Sequence, residues 1–308
     1  MNRFMISFFC SQDGSLRSGW RFAVAAAYFL FAEYTCAYLT FWLLHRTGSS
    51  YLFESMYRPL LLLMLIFGFG VLARAPEKIP PDPISAQGLG RSGPWKYQLL
   101  LGAGLGIFVI TLAVLMVAAL GSYSLQVVPT SPGKVSTVLW ILLTAAAAEE
   151  VAFRGYPFQT LVQATGKWAA VLLMSALFGA LHLTNPDASL WSMLNTMLIG
   201  VLLCVAYLRS KSLWLPIGVH FGWNLGLGFI YGLPVSGLSI FAVVVKGRAA
   251  GPQWLTGGDY GIEASLTGAV AILTGMIMLT LATSSKRTSK WMPVAAVARI
   301  EPIEQKNQ

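Results

Sequence analysis

Eight apolar stretches alternate with shorter polar connections along the chain, and this pattern predicts membrane-spanning helices. The stretches cover residues 21–45, 56–74, 97–120, 135–161, 168–184, 189–208, 213–232 and 264–283. About 20 predominantly apolar residues in a helix cross the hydrocarbon core of a bilayer, so each stretch is of spanning or near-spanning length. The predicted fold class is therefore all-α: a polytopic helical membrane protein with about eight transmembrane helices around an intramembrane polar cavity.

Composition supports a single membrane domain with tails. The chain is 56% hydrophobic and 11% charged, with a mean hydropathy of +0.66, whereas a soluble domain carries about 25% charged residues. The region 75–96 is rich in Pro and Gly and cannot form one regular element. We expect five segments: a cytoplasmic or interfacial segment 1–20, two helices in 21–74, a linker 75–96, a core 97–283 and a polar tail 284–308.

The distribution of charge predicts the orientation of these helices. With the N-terminus in the cytoplasm, the cytoplasmic segments hold 15 Lys and Arg residues, the opposite side holds 5, and Arg154 lies inside a span. This is the asymmetry of the positive-inside rule, so both termini are predicted to be cytoplasmic. It accounts for the net charge of +9 without nucleic acid, and the expected partner is the lipid bilayer.

Two adjacent acids interrupt the fourth apolar stretch. Glu149 and Glu150 follow a run of four alanines, and Arg154 comes four residues after Glu150. A charged side chain near the centre of a membrane helix costs roughly 2.5 to 3.5 kcal/mol, so such residues mark functional or paired positions. The spacing predicts an ion pair between Glu150 and Arg154 along one helix face. Glu149 projects about 100° away and remains for another task.

Three further polar residues occupy later spans. His182 closes the fifth stretch, and His220 and Asn224 lie four residues apart on one face of the seventh. We interpret two intramembrane histidines, an amide and an acid pair as one shared site. Gly218, Gly222 and Gly226 lie about 200° round the seventh helix from His220 and Asn224 and are predicted to pack against a neighbouring helix. Pro157 predicts a kink just after the acids.

Several chemistries fit this group of residues. A carboxylate and an imidazole can activate water for hydrolysis, while a second imidazole and an amide can stabilise an oxyanion. Glu149, His182 and His220 are also possible zinc ligands, but the sequence lacks the His-Glu-x-x-His helix of many metalloproteases. Proton-coupled transport uses similar residues. The three cysteines show no disulfide or zinc-binding spacing.

Three motifs in order resemble the signature of the CPBP intramembrane proteases, the group of CAAX prenyl endopeptidases and bacteriocin-processing or immunity-associated proteins. They are Glu149-Glu150-x-x-x-Arg154, Phe178-x-x-x-His182 and His220-x-x-x-Asn224. The segment 256–263 is similar to a Gly-Gly-x-x-Gly-x-Glu segment of bacterial members, although Ala264 stands where many have Gly. The resemblance covers about 97–283.

The resemblance implies a helical intramembrane peptidase. Glu149 and His182 would activate water, His220 and Asn224 would stabilise the oxyanion, and Glu150 and Arg154 would support the site. The substrate would be a membrane-bound or lipidated, CAAX-like peptide. The cofactor is unknown: we favour no essential metal, with zinc as the main candidate. The alternative is a non-proteolytic membrane protein that keeps these residues for binding, immunity or transport.

Overall fold

The computed structural model describes residues 8–11, 15–77, 82–91 and 93–282, and the predicted tail 284–308 lies outside them. The described chain is a helical bundle with one two-stranded sheet, which confirms the predicted fold class. Its main helices are α1 (Ser18–Leu44), α2 (Ser50–Glu77), α3 (Trp95–Leu120), α4 (Pro132–Arg154), α5 (Tyr156–Thr165), α6 (Lys167–Leu181), α7 (Leu190–Ser210), α8 (Trp214–Asn224) and α9 (Leu266–Ala282).

Each apolar stretch corresponds to one helix, except that the fourth stretch contains both α4 and α5. Within the described residues, six helical segments are long and apolar enough to cross a membrane, with α4 and α5 counted together, and Leu266–Leu281 is a shorter apolar helix. The seventh stretch forms α8 and continues as a π-helical segment, Leu225–Ile230. A multi-pass membrane protein is thus confirmed, while the number of eight spans stays a prediction.

The fourth stretch is interrupted directly after the acid pair. α4 ends at Arg154 and α5 begins at Tyr156, so Pro157 lies in the first turn of a new helix, where its missing N–H costs nothing. The Gln87 side chain accepts a hydrogen bond from the Tyr156 amide at 3.0 Å. A Cβ on Gly155 would lie 2.4 Å from the Val151 carbonyl oxygen, so this junction requires glycine.

One end of the bundle, here called the hairpin face, comprises the connections 45–49, 121–131, 182–189 and 231–265. Its small sheet pairs β1 (Ser122–Val127) antiparallel with β2 (Val245–Ala250). The Tyr51 hydroxyl donates to the Ile240 carbonyl at 2.5 Å, and the Asn185 amide donates to the Ser236 carbonyl at 3.1 Å. These bonds join the connections into one continuous end of the molecule.

The opposite end, the linker face, comprises residues 15–17, 82–91, 93–94, 165–167 and 210–213. The Leu213 amide donates to the Gly88 carbonyl at 2.9 Å, so the linker lies against the connection between α7 and α8. Arg21 donates to the Gln163 side chain at 2.6 Å and joins the start of α1 to α5. Successive helices therefore run alternately between the two faces, as the spacing of the apolar stretches predicts.

The predicted glycine contact is formed between α8 and α3. A Cβ on Gly222 would lie 2.2 Å from the Ala103 carbonyl oxygen, and one on Gly218 would lie 2.3 Å from that of Leu99. From α3, a Cβ on Gly106 would lie 2.2 Å from the Val219 carbonyl oxygen. Because one side of α8 is pressed against α3 in this way, its opposite side is turned towards α4 and α6.

Candidate active site

Glu149 lies between the two intramembrane histidines. Its Oε2 is 4.0 Å from His182 Nε2 and 3.7 Å from His220 Nε2. Three separate helical segments supply these groups: Glu149 comes from α4, His182 from the end of α6 and His220 from α8. Glu149 Oε2 is buried and accepts no hydrogen bond from the described residues. The structure therefore brings these three predicted side chains together.

Hydrogen bonds on the far side of each ring orient both imidazoles. His182 Nδ1 lies 2.7 Å from the Phe178 carbonyl oxygen, and His220 Nδ1 lies 2.9 Å from Glu150 Oε1. Carbonyl and carboxylate oxygens only accept hydrogen bonds, so each Nδ1 is assigned as the donor. In a neutral ring the Nε2 atom then carries a lone pair, and both such atoms point towards Glu149.

Glu150 and Arg154 form the predicted pair, and both side chains are fully buried. Arg154 Nη1 donates to Glu150 Oε1 at 3.1 Å, and Nη2 donates to the Gly200 carbonyl at 3.1 Å. The guanidinium also lies 4.6 Å from the centre of the Phe178 ring. The second bond of Glu150, to His220, links two residues 70 positions apart and was not predicted from the sequence.

The site opens into a polar cavity of about 210 Å³. Glu149, His182, His220 and Asn224 all contribute to its wall, which places Asn224 beside the other three predicted residues. A smaller apolar cavity of about 30 Å³ adjoins it. His182, His220, Asn224 and Ser236 border both. The site therefore stands between a polar space and an apolar recess.

Charged residues of the first two helices complete the polar wall. Arg58 Nη1 lies 3.7 Å from Glu149 Oε1, and the Arg58 Nε atom is 2.7 Å from Glu54 Oε2. Glu33 lines the same cavity and accepts a hydrogen bond from Tyr57. These residues were not predicted to belong to the site, because the resemblance begins near residue 97. Their charge within apolar stretches was the available signal.

Glu263, from the segment noted before the last helix, holds the hairpin face against the site. Its carboxylate accepts hydrogen bonds from Trp223 Nε1 at 2.8 Å and from the Ser236 amide. Its carbonyl accepts a bond from the Asn195 side chain at 2.9 Å. Burial raises the pKa of Glu263, while the hydrogen bonds from Ser236 and Trp223 act in the opposite direction. This carboxylate therefore fixes Ser236 at the border of both cavities.

The donor atoms around Glu149 stand slightly further apart than the ligand atoms of a bound zinc ion. Zinc bound to nitrogen and oxygen at about 2.0 to 2.2 Å brings tetrahedral ligand atoms within about 3.3 to 3.6 Å of one another. The two histidine nitrogens lie 3.7 and 4.0 Å from Glu149 Oε2. In the part of the chain that the structure describes, no three His, Cys, Asp or Glu side chains are placed to hold a metal ion. The zinc ligands stay a prediction.

Comparison with known proteins shows what this part of the chain is similar to. Residues 131–226 match the family model described as type II CAAX prenyl endopeptidase Rce1-like. An Escherichia coli protein described as an uncharacterized 24.3 kDa protein is 28% identical over 190 residues, which is 61% of this chain and 84% of that protein. The matched segment contains all six predicted site residues, so the predicted resemblance to the CAAX prenyl endopeptidases is confirmed over residues 131–226.

Proposed function

We propose that the protein is an intramembrane endopeptidase that hydrolyses a peptide bond of a membrane-associated or lipidated, CAAX-like substrate. The observation that carries this proposal is the position of Glu149 Oε2, which faces Nε2 of both histidines at the wall of a polar cavity. Such a constellation is what water activation requires, and a purely structural set of polar residues would satisfy each group locally.

The distances favour a water molecule between these groups. Glu149 Oε2 is 3.7 Å from His220 Nε2 and 4.0 Å from His182 Nε2. Both distances are too long for a direct hydrogen bond but suit a bridging water. The Glu149 carboxylate oxygen and the unprotonated Nε2 atom of His182 are both acceptors, and water supplies the donors that this pair needs. Glu149, assisted by His182, then takes a proton from that water as it attacks the substrate carbonyl carbon.

The two histidines differ in the group behind each ring, and this difference supports a division of roles. His220 donates to the carboxylate of Glu150, whereas His182 donates to the neutral carbonyl of Phe178. A carboxylate partner favours a positive imidazolium more strongly than a carbonyl does. His220 is therefore the ring suited to donate from Nε2 to a developing oxyanion, and His182 is suited to accept a hydrogen bond from the water.

The reaction then proceeds in two steps. In the first step, the water oxygen bonds to the carbonyl carbon and a proton passes to Glu149. His220 and the Asn224 amide donate hydrogen bonds to the resulting oxyanion. In the second step, the carbon–nitrogen bond breaks and the proton moves from Glu149 to the leaving amine. Glu150 and Arg154 hold His220 in position throughout.

The test compares Glu149→Gln with Asp187→Asn in cells that produce the protein. Both changes replace one carboxylate by an amide, but Asp187 is exposed in a connection at a positive φ that asparagine tolerates. Mass spectrometry of peptide termini in the membrane fraction identifies the cleaved bonds. We expect these termini with the wild type and with Asp187→Asn, and their loss with folded Glu149→Gln. Unchanged termini with Glu149→Gln would contradict the catalytic role of Glu149.

A further inference from the structure

Many residues that line the polar cavity lie in the half of the bundle nearer the hairpin face. The wall includes Arg58, near the start of α2, and Leu181 and Asn185, at the end of α6 and just beyond it. Residues Val235, Ser236, Leu238 and Phe241 of the connection after α8 complete it. These positions belong to the half of the bundle that ends at the hairpin face, whereas Phe29, Ala152 and Phe153 line the wall from further inside the bundle. Thr184, exposed at that end, also lies on the wall.

The site is closed towards the linker face. Every residue from 150 to 162 is buried, across the end of α4, the Gly155 junction and most of α5. Arg154 and Phe158 are fully buried, and Tyr156 is 4% exposed. Leu213, at the connection between α7 and α8, is also fully buried. This plug separates Glu149 from the aqueous phase at the linker face.

The charges of the connections orient the two faces. Among the described residues, eight Lys and Arg lie at or beside the linker face, namely Arg17, Arg21, Arg74, Arg91, Lys96, Lys167, Arg209 and Lys211, against five towards the hairpin face, namely Arg46, Arg58, Lys134, Lys246 and Arg248. The count over the whole sequence, with both tails predicted to be cytoplasmic, is 15 against 5. The positive-inside rule therefore places the linker face in the cytoplasm and the hairpin face on the opposite side. The closed end of the site is then cytoplasmic, and the end lined by the cavity is extracytoplasmic.

We propose that substrates reach this site from the extracytoplasmic side of the membrane. This inference rests on the proposed function and narrows its substrate class. The scissile bond would belong to a membrane protein or membrane-bound peptide whose cleaved segment lies at the extracytoplasmic surface. A lipidated tail exposed only in the cytoplasm would meet the buried plug formed by residues 150–162.

The experiment measures from which side of the membrane a water-soluble reagent reaches the cavity. Thr184→Cys and Leu238→Cys each place a thiol on the cavity wall, and Ala164→Cys places a matched thiol on the exposed end of α5 near the linker face. Cys10 is replaced by Ser, whereas the fully buried Cys36 and Cys204 stay in place. A membrane-impermeant maleimide is applied to right-side-out and to inverted vesicles, and gel filtration checks that each variant is folded.

We expect both cavity thiols to react in right-side-out vesicles and the Ala164→Cys thiol to react in inverted vesicles. Reaction of the cavity thiols only in inverted vesicles, or in neither preparation, would overturn the proposal. The readout needs no protease activity. If labelling is extracytoplasmic while Glu149→Gln leaves cleavage unchanged, the proposed function fails and the sidedness stands. If Glu149→Gln abolishes cleavage while labelling is cytoplasmic, only the sidedness fails.

Discussion

The contact between α3 and α8 gives the sharpest prediction, because it connects helix packing to the geometry of the site. A Cβ on Gly106 would lie 2.2 Å from the Val219 carbonyl oxygen and 2.6 Å from the Trp223 amide. Ordinary contact begins near 3.4 Å, so Gly106→Ala must separate the helices by about 1.2 Å. Overpacking of this kind typically costs about 1 to 3 kcal/mol.

The displacement would also reach His220 and Asn224, because the backbone atoms that meet the new methyl group flank both residues. A misplacement of about 1 Å can lower an enzymatic rate by about 100-fold. We therefore expect Gly106→Ala to lower both the melting temperature in detergent and the rate of cleavage. Fluorescence-detected gel filtration after heating measures the first, and mass spectrometry of cleaved termini measures the second.

Gly104→Ala is the matched control, since it lies on the same helix and its Cβ would meet no atom within 4 Å. Alanine is a better helix former than glycine by up to about 1 kcal/mol, so this variant should melt at the same or a slightly higher temperature and keep its activity. If Gly104→Ala and Gly106→Ala melt together and cleave equally, the inference that a close helix contact positions the site is wrong.

Three further outcomes follow from the site. Arg154→Ala should lower the folded yield, because loss of one partner of a buried pair costs about 3 to 5 kcal/mol. The double variant with Glu150→Gln should recover part of that yield. A double variant that folds no better than the single one would show that the ion pair does not cause the loss. Arg58→Gln should lower turnover by about tenfold, equivalent to about 1.4 kcal/mol, in folded protein, whereas Arg46→Gln at the end of α1 should not; equal effects would exclude a role at Glu149. Dialysis of active protein against a chelator should leave cleavage unchanged, and loss of cleavage restored by stoichiometric zinc would show a metal enzyme.

The helical architecture could be predicted from the sequence because the patterns that indicate it are local. An apolar stretch of about 20 residues has few alternatives to a spanning helix, and the spacing of Glu150 and Arg154 places them on one face of that helix whatever surrounds it. The glycines of α8 were likewise assigned to a packing face from spacing alone, and the structure confirms contacts for Gly218 and Gly222 with α3.

The contacts that were missed join residues far apart in the chain. Arg58 is 91 positions before Glu149, and spacing along one helix carries no information about a neighbouring helix. The interruption at Gly155 was expected as a kink at Pro157, but the partner that completes it, Gln87, comes from the linker. In each case the sequence marked a polar residue in an apolar setting, and only the packing of the bundle identified its partner.

Glu150 shows why the supporting and reacting parts of this site form one network. Its Oε1 accepts hydrogen bonds from both Arg154 and His220, while its Oε2 accepts none from the described residues. Removal of Glu150 would therefore leave Arg154 buried without its ionic partner and would also release His220. Effects of residues that share a partner are not additive, so a substitution of Glu150 cannot separate folding from catalysis. That separation requires changes at the two ends of the network, Arg154 for the fold and Glu149 for the reaction.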